Sequence, residues 1–211
     1  MKKTLPRGRY IVFEGIESVG KSTQRDLLSE RLLRAGIPVR TIREPAGDAV
    51  GHAIRKILLD PQYEIDARTE LFLFSAARAS LMSQLDTWLQ SGLWIICSRN
   101  YLSSIAYQGY GREGGGLSIE EIRHISELPV TVAADLQLVL DAPVKVTERR
   151  TKRRAPGHRF DSLSNAFMTR ARNGYLAEAK MRKLPVIDAT ASINEVAAAV
   201  WSYVEPLLAS E

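Results

Sequence analysis

Short apolar, β-branched runs alternate along this chain with longer stretches in which apolar residues recur every three or four positions. The runs Tyr10 to Phe13, Val39 to Ile42, Trp94 to Cys97, Leu136 to Leu140 and Pro185 to Ile187 predict five strands. The intervening patterns predict helices over Lys21 to Ala35, Ala49 to Leu59, Ala67 to Gln90, Ser118 to Leu128, Val144 to Arg153, Leu163 to Met181 and Ile193 to Leu208. Gly36 is the expected stop of the first. Strands that alternate with helices in this way form an open parallel sheet covered on both faces, an α/β fold. Ligands of such sheets gather beyond the carboxyl ends of the strands. The first four strands lead into a glycine loop, Arg43-Glu44-Pro45, Ser98-Arg99-Asn100-Tyr101 and Asp141-Ala142-Pro143. Polar groups far apart in sequence are therefore expected on one rim.

Two stretches break the pattern. Gln108 to Gly116 holds five glycines and reads as a flexible connection between helices. Arg149 to Arg159 is denser in positive charge than a helix surface requires. Such a run is either a solvated basic face or a hinged lid over about residues 149–160, with Pro156-Gly157 as its irregular backbone. There is no internal repeat and no composition shift that marks a second domain, so residues 1–211 are expected to form one.

Composition narrows the class. The chain is 45% hydrophobic and 25% charged, and no apolar run reaches the roughly 18 residues of a membrane span. The basic N-terminus runs into the first strand without an apolar signal segment, so a cytoplasmic protein without membrane association is expected. Cys97 is the only cysteine, which excludes an internal disulfide, and its apolar neighbours predict a buried thiol. The net charge of +5 is concentrated near the basic run, a distribution that suits small polyphosphates at least as well as a duplex. No recognition motif or aromatic stacking signature accompanies it, so no nucleic-acid partner is expected.

Gly15-Ile16-Glu17-Ser18-Val19-Gly20-Lys21-Ser22 fits the phosphate-binding pattern G-x-x-x-x-G-K-S/T, between a predicted strand and a predicted helix. The glycines let backbone N–H groups turn toward phosphate oxygens, and the positive end of the following helix adds to their field. Lys21 would supply charge to the outer phosphates and Ser22 a hydroxyl to Mg²⁺, with Thr23 completing the segment. Such a loop serves kinases, motors and switches alike. Phosphoryl transfer further needs charge neutralisation and a placed acceptor. The arginine-rich run offers the first, and Arg43, Glu44, Arg78 and Arg99 are candidates for the second, although Arg78 and Arg99 read equally as surface residues. A GTP-dependent switch is the alternative of another class, because Asp48-Ala49-Val50-Gly51 fits D-x-x-G, but no N-K-x-D segment follows.

With these residues assembled, the chain resembles the thymidylate kinase family over nearly its whole length. The segments that carry the resemblance are Phe13 to Thr23, Arg43-Glu44-Pro45-Ala46-Gly47, Leu71 to Arg78, Ser103-Ser104-Ile105-Ala106-Tyr107-Gln108-Gly109, Arg159-Phe160-Asp161 and Arg170 to Leu176. The resemblance implies a P-loop nucleoside monophosphate kinase fold with a mobile lid, MgATP as phosphoryl donor, dTMP as acceptor, and a homodimer. An apolar face on the helices near Ala49 to Leu59 or Ala67 to Gln90 is equally an internal core face. A kinase for another nucleoside monophosphate, or for a deoxynucleoside, is the second enzyme reading.

By resemblance, Phe74 stacks on the thymine ring, Arg78 bonds its O4 edge, and Ser104 and Gln108 lie where the pyrimidine edge is read. Arg99 holds the acceptor phosphate, Tyr107 crowds the ribose 2′ position, and Glu17 accepts from the 3′-hydroxyl. Glu17 is followed by Ser18 rather than arginine, which is similar to the branch with its catalytic arginine in the lid; Arg150, Arg153 and Arg154 are the candidates. The chain departs from the family at Ser98-Arg99-Asn100, where D-R-Y/H is usual, and so lacks a negative charge that helps organise Mg²⁺. Either Glu44 or another carboxylate compensates, or turnover is slow. Asp48 and Asp161 are smaller departures.

Overall fold

The computed structural model describes residues 6–153, 160 and 163–209. Five strands, β1 (Tyr10–Glu14), β2 (Val39–Arg43), β3 (Trp94–Ser98), β4 (Leu136–Asp141) and β5 (Val186–Asp188), form one sheet in the order β2-β3-β1-β4-β5. Every neighbouring pair is parallel. The helices are α1 (Lys21–Arg34), α2 (Ala49–Leu59), α3 (Ala67–Gln90), α4 (Tyr101–Ser104), α5 (Ile119–Glu127), α6 (Val144–Thr151), α7 (Asn165–Arg182) and α8 (Ile193–Val204).

Both faces of the sheet are covered, as the alternation predicts. Because successive strand side chains point to opposite faces, Ile11 and Phe13 join Leu28 and Leu32 of α1, Ala171 and Tyr175 of α7, and Val196 and Val200 of α8. Tyr10, Val12 and Cys97 instead join Leu81, Leu85 and Leu89 of α3. The Cys97 thiol is buried. The central strand β1 is thus enclosed throughout, and the loop that follows it opens on the rim.

Four strands run one residue beyond their predicted ends, to Glu14, Arg43, Ser98 and Asp141. Hydrophobicity stops at the rim, but the ladder continues: Phe13 and Arg43 both pair with Ser98, and Asp141 pairs with Asp188. β5 is displaced by one residue for the same reason. Helix α7 starts at Asn165 rather than Leu163, because the Ser164 side chain accepts from the Phe167 N–H and caps it. Helix α8 ends at Val204 and passes into a 3₁₀ turn over Glu205–Leu208 that contains Pro206.

The predicted flexible connection over Gln108 to Gly116 is instead ordered. A π-helical turn spans Ile105–Gly111 and a 3₁₀ turn follows over Glu113–Gly116. The π turn packs against α7, where a Cβ on Gly111 would lie 2.6 Å from Phe167 Cζ and one on Gly174 would lie 2.6 Å from Tyr110 Cδ2. These glycines permit close approach of backbone to ring rather than motion. Of the basic run, Arg149, Arg150 and Thr151 end α6, whereas Arg154, Pro156, Gly157 and Arg159 lie outside the described residues, as does Asp161 beyond it.

Candidate active site

The phosphate loop is built from the inside outward. Ile16 and Val19 are each about 1% exposed and anchor it in the core, so only their backbone faces the rim. Gly15 has φ +132°, and a Cβ there would come within 2.3 Å of the Leu140 carbonyl oxygen. Gly20 precedes α1 in a left-handed conformation. Ser18 is also left-handed at φ 58°, a conformation that stores on the order of 1 kcal/mol in a residue with a side chain. Its Oγ accepts from Thr151 Oγ1 at 2.8 Å, which fastens the loop to α6.

The Lys21 side chain folds back into the loop and donates to the carbonyls of Gly15 at 2.8 Å and Ile16 at 2.7 Å. Burial, then the nearby Arg99 charge, pushes its ammonium well below the usual lysine range, while Glu17 and Glu14 oppose the shift. Beyond it a cleft with about 430 Å³ of free volume is lined by Ser18 to Gln24, Arg43, Ser98 and Arg150. Its far end is apolar, with Ala189, Ala191, Ile193 and Val196. Ser22 and Thr23 are exposed at the first turn of α1.

A second cleft lies on the other side of Glu17. Arg43, Glu44, Arg55, Phe74, Arg99, Ser104, Tyr107 and Gln108 line it, together with Phe160, whose ring centroid is 6.2 Å from that of Phe74. Its free volume is about 50 Å³. Glu17 lines both clefts. Its carboxylate pairs with Arg99 and lies 3.8 Å from Arg43. Burial would raise its pKa, but the charges of Arg99, Lys21 and Arg43 outweigh burial and hold it well below the carboxylate range. The Tyr107 hydroxyl accepts from the Glu17 N–H at 2.9 Å, so the second cleft is bonded directly to the phosphate loop.

Arg99 has a φ of 78° and is 12% exposed in its side chain. Its guanidinium donates to Ser103 Oγ at 3.2 Å and to the Tyr175 hydroxyl at 3.3 Å. Beneath them Glu14, fully buried, accepts from Ser103 Oγ at 2.7 Å and from the Asn100 N–H at 2.7 Å. Burial raises the Glu14 pKa despite these donors. The roles of Glu14 and Tyr175 are absent from the sequence reading. An acidic residue closing a strand that is otherwise apolar was the available signal for Glu14.

Several candidates gather as expected and others do not. Arg78 is 1% exposed and does not line the second cleft. Its Nε donates to Glu44 Oε2 at 2.9 Å, and its terminal nitrogens to the Ser126 carbonyl and Ser104 Oγ, each at 3.2 Å. Arg55 lines the cleft, although no motif singled it out. Arg150 donates to the Val19 carbonyl at 3.1 Å and the Ala189 carbonyl at 2.9 Å, beside the apolar end of the first cleft. Arg153 is exposed, and Arg154 lies outside the described residues. Glu44 faces Arg78 rather than the first cleft, where Glu17 is the one carboxylate among the described lining residues. Asp48 caps α2 by accepting from the Gly51 N–H at 2.6 Å and also accepts from Ser80 and Gln84, so the D-x-x-G resemblance to a switch is a helix cap.

A phosphate loop on the central strand, with an arginine-lined cleft across one shared carboxylate, defines a P-loop nucleotide kinase architecture. Comparison with known proteins makes the assignment finer. Residues 13–200 match the family described as thymidylate kinase. The thymidylate kinase of Thermosipho africanus (strain TCF52B) is 38% identical over 204 residues, covering 95% of this chain and 100% of that protein. That of Pelotomaculum thermopropionicum is 41% identical over 190 residues, 87% of each chain, and that of Deinococcus radiodurans 36% over 204 residues, 95% and 98%. The chain belongs to the thymidylate kinase family.

Proposed function

We propose that this chain transfers the γ-phosphoryl group of ATP to dTMP, giving dTDP for dTTP biosynthesis, within a single kinase domain. The observation that carries the reading is the position of Glu17, between the cleft of Lys21 and the cleft of Arg99. The first cleft takes ATP, with its phosphates on the loop from Gly15 to Thr23. Its base lies at the apolar end beside Arg150, whose planar guanidinium suits stacking. The second cleft takes dTMP, with Phe74 against the pyrimidine and Arg99, Arg43 and Arg55 around the phosphate.

An oxygen of the dTMP phosphate, already ionised, attacks the γ-phosphorus as the bond to the β–γ bridging oxygen breaks and ADP leaves. Alignment and charge neutralisation therefore do most of the work. Lys21 leaves its loop carbonyls for the phosphate oxygens, and an arginine from the lid, Arg153 or Arg154, completes the neutralisation. Arg150 is assigned to the donor base because its guanidinium is held by the Val19 and Ala189 carbonyls, the second of them at the apolar end of the cleft. Mg²⁺ fits a donor set of this kind: Ser22 would offer it a hydroxyl, Glu17 is the one carboxylate among the described residues lining the cleft, and the nucleotide would bring the remaining oxygens. Bound there, the metal would neutralise phosphate charge.

No helix among the described residues is long and apolar enough to cross a membrane, in keeping with a cytoplasmic enzyme. A homodimer through α2 and α3 would cover Val50 and Phe72, each 52% exposed. The reading is tested by an acceptor panel of dTMP, dUMP, dCMP, UMP and thymidine with MgATP. Preference for dTMP supports it; turnover of thymidine alone, or GTP hydrolysis without acceptor turnover, overturns it.

A further inference from the structure

Gln108 is 2% exposed, lines the acceptor cleft, and donates from Nε2 to Glu70 Oε1 at 2.7 Å. Glu70 is fully buried and ion-paired with Arg112, whose terminal nitrogen lies 3.2 Å from Oε2. A carboxylate accepts hydrogen bonds and donates none, whereas an amide carries a donor end and an acceptor end. Turning the amide over would set two acceptors 2.7 Å apart in a buried site. Glu70 therefore fixes which end of Gln108 is spent inside the protein. The remaining end, Oε1, is an acceptor and has no hydrogen-bond partner among the described residues. The π turn makes this possible, because it brings both Gln108 and the following Arg112 to the first turn of α3.

Ser104 lines the same cleft, and its Oγ accepts from Arg78 Nη2 at 3.2 Å, so the hydrogen of its own hydroxyl is what it offers a ligand. An acceptor and a donor lining one cleft match a ring with an N–H next to a carbonyl, which is the N3–O4 edge of thymine and uracil. Cytosine presents the reverse, a bare ring nitrogen beside an amino group.

We infer that Glu70 is a positioning residue for acceptor specificity: by locking the Gln108 amide it makes the cleft reject cytosine nucleotides. This rests on the proposed dTMP kinase activity and on dTMP occupying the Arg99 cleft. A site built to bond one polar edge discriminates strongly because the wrong edge leaves buried groups unmatched.

The experiment is the ratio of kcat/KM for dTMP to that for dCMP in Glu70→Gln. A glutamine at this position accepts or donates, so the Gln108 amide is free to turn. The ratio is expected to fall at least about tenfold, in part through a real gain with dCMP, while the KM for ATP stays the same. A purely structural role for Glu70 lowers turnover of both acceptors together, and an unchanged ratio overturns the inference. If that variant does not fold, Glu70→Gln with Arg112→Gln removes the unmatched guanidinium and is read in the same way. Gln108→Leu removes the oxygen itself, and an unchanged ratio there also overturns it. Wild-type protein that fails to phosphorylate dTMP would instead sink the underlying activity, so the two failures are distinct.

Discussion

Arg78 and Glu44 form a charge pair 2.9 Å apart, with side chains 1% and 4% exposed, directly behind the acceptor cleft. Burial pushes the Glu44 carboxyl up to about 7, against the pull of the Arg78 charge. The second oxygen, Oε1, is buried and has no hydrogen-bond partner among the described residues. Between about pH 4.5 and 7 the folded protein thus keeps a proton that the unfolded chain releases. The corresponding stability is fully present below pH 4.5 and lost as pH rises through about 7, up to about 3 kcal/mol. Glu44→Gln should remove this contribution and make the decline shallower than in wild type, measured by urea unfolding at pH 5 and pH 7.5. An equal decline in both proteins would contradict the assignment.

Lys21 is the group whose loss should be most damaging to transfer. Lys21→Met keeps the apolar stem and removes the ammonium, so kcat/KM should fall at least about a hundredfold, the scale of one preorganised charge donor. Far-UV circular dichroism should be unchanged. Turnover within a few-fold of wild type would remove Lys21 from the mechanism.

Phe74 separates acceptor from donor binding. Removing a ring that stacks on a pyrimidine costs on the order of 2 kcal/mol, so Phe74→Ala should raise the KM for dTMP roughly thirtyfold and leave that for ATP near its original value. Matching losses for both nucleotides would return Phe74 to a packing role with Phe160.

Arg150 and Arg153 divide by placement. Arg150 is held by the Val19 and Ala189 carbonyls, so Arg150→Ala should raise the KM for ATP with little change in kcat. Exposed Arg153 is the described candidate for the lid role, and Arg153→Ala should lower kcat more than KM. Steady-state kinetics with each nucleotide varied decides between them, and the opposite pattern would exchange the roles.

The strands and the longer helices were legible because each has one clear period: β1, for instance, is apolar at every position up to Phe13, and α3 carries its core residues at helical spacing. The polar rim was legible as a place but not as a geometry. Glu14 looks in the sequence like the charged end of a strand, yet in the fold it is the buried carboxyl to which Ser103 Oγ donates, beneath Arg99. The segment after Gln108 read as flexible because glycine content carries no information about what packs against it, and here Phe167 and Tyr110 do. Arg78 matched a motif, but its direction depends on Glu44, 34 residues away, which no local pattern specifies. Arg55 belongs to a helix whose cleft-facing side is fixed only when α2 docks on α3.

Direct transfer between the two clefts is tested by following γ-labelled ATP with and without dTMP. Label should appear in dTDP in step with ADP, and only when dTMP is present. Label released as inorganic phosphate at the same rate with or without dTMP would contradict the account.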